Sequence, residues 1–110
     1  MAPTTEGEAL FWRLAGPVLE RHAVTRSTMM GFPCLRLDGT FFASYDPRRG
    51  QLVVKLAADR AAALVGSGAA EAFAPNGRRF REWVSVPYSR KRSWPRVLDE
   101  AFVAAAARGR

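Results

Sequence analysis

Residues 34–38 alternate apolar and polar side chains, and two turn signals cut the stretch 34–56 into three pieces of strand length. A period of two puts every second side chain on one face, which is the mark of a half-buried strand. Leu35 and Leu37 are split by Arg36, and the run ends at Asp38-Gly39. An Asp-Gly pair between apolar runs signals a hairpin, because glycine takes positive φ without steric cost. Residues 40–45 follow as an aromatic strand, with Phe42 predicted to one face and Phe41 and Tyr45 to the other. Asp46-Pro47-Arg48-Arg49-Gly50 makes the second turn. Residues 51–56 then put Leu52, Val54 and Leu56 on one face, and Val53 and Lys55 on the opposite one. Three strands joined by tight turns form an antiparallel meander.

The period changes on both sides of this meander. Leu10, Phe11, Leu14 and Val18 are spaced for a helix over residues 6–22, with Thr5 and Glu8 at capping-box spacing. Gly16-Pro17 predicts a kink or break, since proline removes a donor and crowds the preceding turn. Residues 24–28 read as a short strand or an extended lead-in. Residues 58–65 read as a short helix anchored by Leu64 and Val65 and stopped at Gly66-Ser67-Gly68. Residues 71–73 form a short strand, Pro75-Asn76-Gly77 a turn, and residues 80–86 alternate again up to Pro87. The last helix has Ser93 as N-cap and Pro95 in its first turn. Trp94, Val97, Leu98, Ala101, Phe102 and Ala105 make its buried stripe. The expected fold is a single α+β domain over residues 1–110. It has two layers and an antiparallel sheet, in the order helix–three strands–helix–two strands–helix.

Charge is distributed unevenly. Residues 1–77 carry eight Lys/Arg against seven Asp/Glu, while residues 78–110 carry nine against three, so +6 of the net +7 lies after Gly77. Such a bias suits an anionic partner such as nucleic acid, or simply keeps a basic surface solvated. Cys34 is the only cysteine, so no internal disulfide forms. The first residues lack a secretory pattern, and no apolar run reaches the roughly 20 residues a membrane span needs. A cytoplasmic protein with no membrane partner is expected.

The stretch Arg26-Ser27-Thr28-Met29-Met30-Gly31-Phe32-Pro33-Cys34-Leu35-Arg36-Leu37-Asp38-Gly39-Thr40-Phe41-Phe42-Ala43 resembles the TfoX N-terminal domain family. Gln51-Leu52-Val53-Val54-Lys55-Leu56 is similar to its next strand. Phe73-Ala74-Pro75 and Glu82-Trp83-Val84-Ser85-Val86-Pro87 are similar to the related MmcQ/YjbR pattern. The resemblance covers about residues 6–107. It implies the fold order derived above, an arrangement shared with type III secretion chaperones. Two departures bear on function. The second, helical domain usual in TfoX regulators is not in this chain, and Met30-Gly31-Phe32 stands where Phe-Gly-Gly is usual. The family supplies no agreed catalytic residue.

No catalytic constellation assembles in the sequence. His22 is the only histidine, placed near a helix C-terminus where a cation suits the dipole. Cys34 reads as a buried, inert thiol. Asp99-Glu100 fall on the solvent side of the last helix, and Asp38 and Asp46 lie in turns. The glycines form no phosphate loop. The chain is therefore expected to be non-enzymatic, without metal or cofactor.

Two groups of residues are binding candidates. Arg78, Arg79, Arg81, Arg90, Lys91, Arg92 and Arg96 make a basic run interleaved with Trp83 and Tyr88. Cations for phosphates beside rings for bases suit nonspecific, salt-sensitive nucleic-acid contact. The competing reading is a solvated basic turn with Trp83 in the core. Met29, Met30 and Phe32 form an adaptable apolar turn for a protein partner, or a plug at one end of the sheet. Two functions follow: an accessory nucleic-acid-binding or transcription-related domain, or a protein-interaction module whose partner is another protein or a second copy of the chain, as a homodimer. One continuous basic patch beside an exposed Trp83 favours the first. Scattered cations with an apolar sheet face favour the second.

Overall fold

The meander is present, and it is one strand longer than expected. The structure is a computed structural model that describes residues 6–21, 23–29 and 31–108. Its elements are α1 (Glu6–Leu19), β1 (Val24–Met29), β2 (Phe32–Leu37), β3 (Thr40–Asp46), β4 (Gln51–Lys55), α2 (Ala58–Ser67), β5 (Glu71–Ala72), β6 (Trp83–Pro87) and α3 (Trp94–Arg108). Six strands make one antiparallel sheet in the order β1-β2-β3-β4-β6-β5. The molecule is thus α+β, with three helices. Four strands precede α2 rather than three, because residues 24–28 belong to an edge strand. Only Val24 of β1 is buried. An edge strand with so little burial needs no apolar alternation, which is why its sequence is ambiguous.

The hairpins follow from turn chemistry. Asp38 and Gly39 both take positive φ, at 51° and 84°. That is the conformation of a type I′ turn, whose twist matches the flanking strands. Asp46 is a buried carboxylate that closes the next turn on itself. Its Oδ1 accepts from the Arg48 N–H at 2.9 Å and the Arg49 N–H at 3.4 Å. These bonds are what license an acid there.

One irregularity changes a face assignment. Leu35 pairs with Ala43, but Arg36 pairs with Phe41, so Phe42 is an extra residue in β3. A bulge of this kind shifts the alternation by one position. Phe42 and Tyr45 consequently share the helix-covered core instead of pointing to opposite faces. Phe41 stays on the other side, with the Arg36 guanidinium 4.7 Å from its ring centre.

All three helices pack on one face. Phe11 and Ala15 of α1, Ala61 and Leu64 of α2, and Trp94, Val97 and Leu98 of α3 join Leu35, Leu52, Val54, Val84 and Val86 in one buried cluster. The α3 stripe is as its spacing requires. Its start differs, because the Ser93 hydroxyl donates back to the Arg90 carbonyl at 2.9 Å. α1 stays helical through Gly16-Pro17 and ends at Leu19, so no break occurs at the proline. The proposed capping residue Thr5 and His22 lie outside the described residues. α2 runs to Ser67 and is stopped by Gly68, whose φ of 82° is the left-handed cap glycine favours. An Arg60–Glu100 pair, at 2.9 and 3.0 Å, ties α2 to α3.

Candidate functional site

The face away from the helices carries the site. Cys34, Ser44, Val53 and Ser85 are neighbours across β2, β3, β4 and β6. They alternate with the helix-facing residues and so point the other way. All four are buried although no helix lies over them. Two pieces of chain rise beside this row. At one side is the tip of the β1–β2 hairpin, where Met29 pairs with Phe32. At the other is the loop over residues 73–82. Asn76 and Gly77 take positive φ in a tight turn at Pro75–Gly77, and the Phe80 N–H returns to the Phe73 carbonyl at 3.0 Å.

This loop corrects the expected strand over residues 80–86. β6 begins only at Trp83, whose N–H bonds the Phe80 carbonyl at 3.0 Å. That turn swings Phe80 off the face of Val84 and onto the side of Trp83. Phe73 lies 5.9 Å from Phe80 and 6.4 Å from Trp83, ring centre to ring centre. Three rings thus form one wall of a cleft of about 510 Å³, with Met29 and Phe32 opposite. Asn76 contributes an amide, and Arg48 and Arg78 contribute the only charges on its lining. The Arg78 guanidinium sits 5.7 Å from the Phe80 ring centre. A cleft of this size and apolar character falls within the usual range for ligand sites.

The structure divides the basic run. Arg78 and Trp83 border the cleft, whereas Arg79 and Arg81 line a separate hollow beside Ala58 and Asp59 of α2. Arg90, Lys91 and Arg92 lie in the 3-10 turn beyond the far end of β6, and Arg96 on α3 is exposed. Trp83 to Pro87 spans about 13 Å of strand, so the two clusters sit at opposite ends of β6. Tyr88 is committed to the fold. Its hydroxyl donates to Glu6 at 3.3 Å and accepts from the Lys91 ammonium at 3.2 Å, and its ring meets Trp94 edge to face. Trp83 is half-buried, its ring centre 6.4 Å from that of Phe73. Met29 and Phe32 are strand ends, not a free loop, and Met30 lies outside the described residues.

The two candidate groups therefore meet in one place, Arg78 and Trp83 facing Met29 and Phe32. Arg48, Phe73 and Phe80 complete the cleft and were not singled out in the sequence. Phe73 and Phe80 carry a weak signal as aromatics around Pro75-Asn76-Gly77, whereas Arg48 reads as an ordinary turn residue.

The thiol of Cys34 is held up by burial, against the opposing pull of Arg36 and a hydrogen bond from Ser27. A thiol kept protonated in this way is a poor nucleophile. Among the described residues, no three His, Cys, Asp or Glu side chains group to hold a metal. No helix among them is long and apolar enough to cross a membrane. Comparison with protein-family models, curated proteins and solved structures gives no match to this chain.

Proposed function

We propose that this chain is a non-enzymatic protein-interaction module of two-layer, YjbR- and secretion-chaperone-like fold. It seats apolar side chains of a partner segment in the cleft on the open face of its sheet. The observation that carries this reading is the convergence of Met29, Phe32, Phe73, Phe80 and Trp83 on one open cleft. Phe80, at 39% exposed, is one of two large apolar side chains left on the surface of the described residues. An aromatic wall opposite a methionine fits the adaptable packing such surfaces use. The resemblance of residues 26–43 and 73–87 to the TfoX and MmcQ/YjbR families is consistent with this reading. The helix-first, meander-second order is compatible with it, with four strands rather than three before α2.

A homodimer through this cleft is disfavoured, because it would bring two chains of net +7 together at arginine-bordered surfaces. The test is a titration of short peptides bearing Leu, Phe or Trp against isotope-labelled protein. Amide shifts should concentrate at residues 29–32 and 73–83. No shift with any peptide would sink the proposal.

A second reading is an accessory nucleic-acid-binding or transcription-related role, favoured by the +6 charge of residues 78–110. It predicts oligonucleotide binding that falls steeply with salt, through phosphate contacts from Arg79, Arg81, Arg90 and Arg92. Absence of binding at low salt rules it out.

A further inference from the structure

The interaction reading leaves open what kind of segment the cleft accepts. Arg48 and Arg78 are its only charged lining residues. Four other cations of the described residues have a carboxylate within 4 Å. Lys55 pairs with Glu82, Arg49 with Asp46, Arg60 with Glu100 and Arg21 with Asp99. Arg48 and Arg78 have no carboxylate partner among the described residues, even though the Asp46 carboxylate is two residues from Arg48. That carboxylate takes the Arg48 backbone N–H and the Arg49 guanidinium instead. Two guanidinium groups thus flank an apolar cleft that contains no acid. Guanidinium forks bind carboxylates bidentately, and more strongly where apolar walls exclude water.

From this charge pattern, and resting on the interaction reading above, we infer that the partner segment is acidic. A bulky apolar residue enters between Phe80, Trp83 and Phe32, and Asp or Glu residues beside it meet Arg48 and Arg78. Asn76, with donors and an acceptor in one amide, suits the backbone of such a segment. A peptide is favoured over a small acid because Arg48, from the β3–β4 turn, and Arg78, from the 73–82 loop, offer two separate carboxylate sites beside one apolar cleft.

The experiment uses three fluorescent peptides with one shared Leu-Trp core, flanked by Glu, Gln or Lys. Binding is read by anisotropy with the full chain at low and moderate salt. The Glu peptide should bind about tenfold tighter than the Gln peptide at low salt, and that advantage should shrink as salt screens the pairs. The double variant Arg48→Glu, Arg78→Glu should reverse the order and prefer the Lys peptide. Both residues are on the surface, so an unchanged circular dichroism spectrum verifies the fold. Phe80→Ala should weaken all three peptides alike.

Equal affinity for Glu and Gln peptides, with Phe80→Ala still weakening both, overturns the acidic partner and leaves the cleft reading standing. Failure of every peptide overturns both. Displacement of the Glu peptide by a single-stranded oligonucleotide, with the same dependence on Arg48, Arg78 and Phe80, overturns the acidic partner and assigns the cleft to nucleic acid.

Discussion

The two faces of the sheet bury side chains by different means. One face is covered by three helices and filled with large groups: Phe11, Phe42, Tyr45, Leu52 and Trp94 are all fully or almost fully buried. The opposite face has a central row of small or short side chains, Cys34, Ser44, Val53 and Ser85, which are buried as well. The cleft on that side is lined by larger groups at the hairpin end, the 73–82 loop and the start of β6, Phe32, Phe73, Phe80 and Trp83 among them. On the proposed reading, stability is concentrated on the first face and binding on the second. Substitutions should separate the two.

The largest effect is expected at the centre of the covered face. Trp94→Ala removes a fully buried ring whose Nε1 donates to the Pro87 carbonyl at 3.3 Å. It should cost ~3–5 kcal/mol in urea unfolding, as large aromatic truncations in cores do. A loss under about 1 kcal/mol would show that α3 is not packed as described. Gly7→Ala comes next. A β-carbon at Gly7 meets the hydroxyl of the buried Tyr45. Overpacking of this kind should cost ~1–3 kcal/mol, read as a fall in the urea midpoint.

The pair joining α2 and α3 is worth less. Arg60 holds the Glu100 carboxyl below its ordinary 4.5, chiefly through their hydrogen bonds. Both partners are partly solvated, so Arg60→Ala should cost ~0.5–1 kcal/mol at neutral pH. A carboxylate whose folded pKa is depressed stabilises above its unfolded value, and that contribution is lost as pH falls through the folded one. The gap between the parent and Arg60→Ala should therefore close in acid. A gap that persists at pH 2 would mean that something other than this pair is lost.

The smallest stability change belongs to the open face. Phe80→Ala should stay within about 0.5 kcal/mol, the range of surface positions, while removing most peptide binding. If it instead unfolds the protein, the loop over residues 73–82 is structural and the contrast between the faces fails. Cys34 sharpens the same contrast. Because its thiol is buried and held protonated, alkylation should track global unfolding rather than proceed in the native state. Rapid native labelling would show that this part of the sheet opens.

What could be read from sequence divides along the same line. The β2–β3 turn was legible because Asp38-Gly39 encodes it within two residues. α3 was legible because its stripe repeats over fifteen residues. The bulge at Phe42 has no local mark, since a strand with one extra residue looks like any aromatic strand, and it moved Phe42 onto the face of Tyr45. Phe80 continues an alternating pattern and so reads as strand. Only the return of its N–H to Phe73 makes it a loop residue. The cleft itself was half visible, as two unrelated groups around Met29 and Trp83. What joins them is their placement across the sheet from β2 to β6, and sequence distance carries no record of that.

The loop over residues 73–82 leaves and rejoins the sheet where one backbone bond, Phe80 to Phe73, clasps its base. A clasp at the base makes the rim a replaceable part. Lengthening it within that bond adds only about 0.6 kcal/mol of closure entropy per doubling. None of its side chains belongs to the helix-covered core cluster. Relatives or engineered variants could therefore exchange the whole rim and acquire a new recognition preference without having to solve the folding problem again.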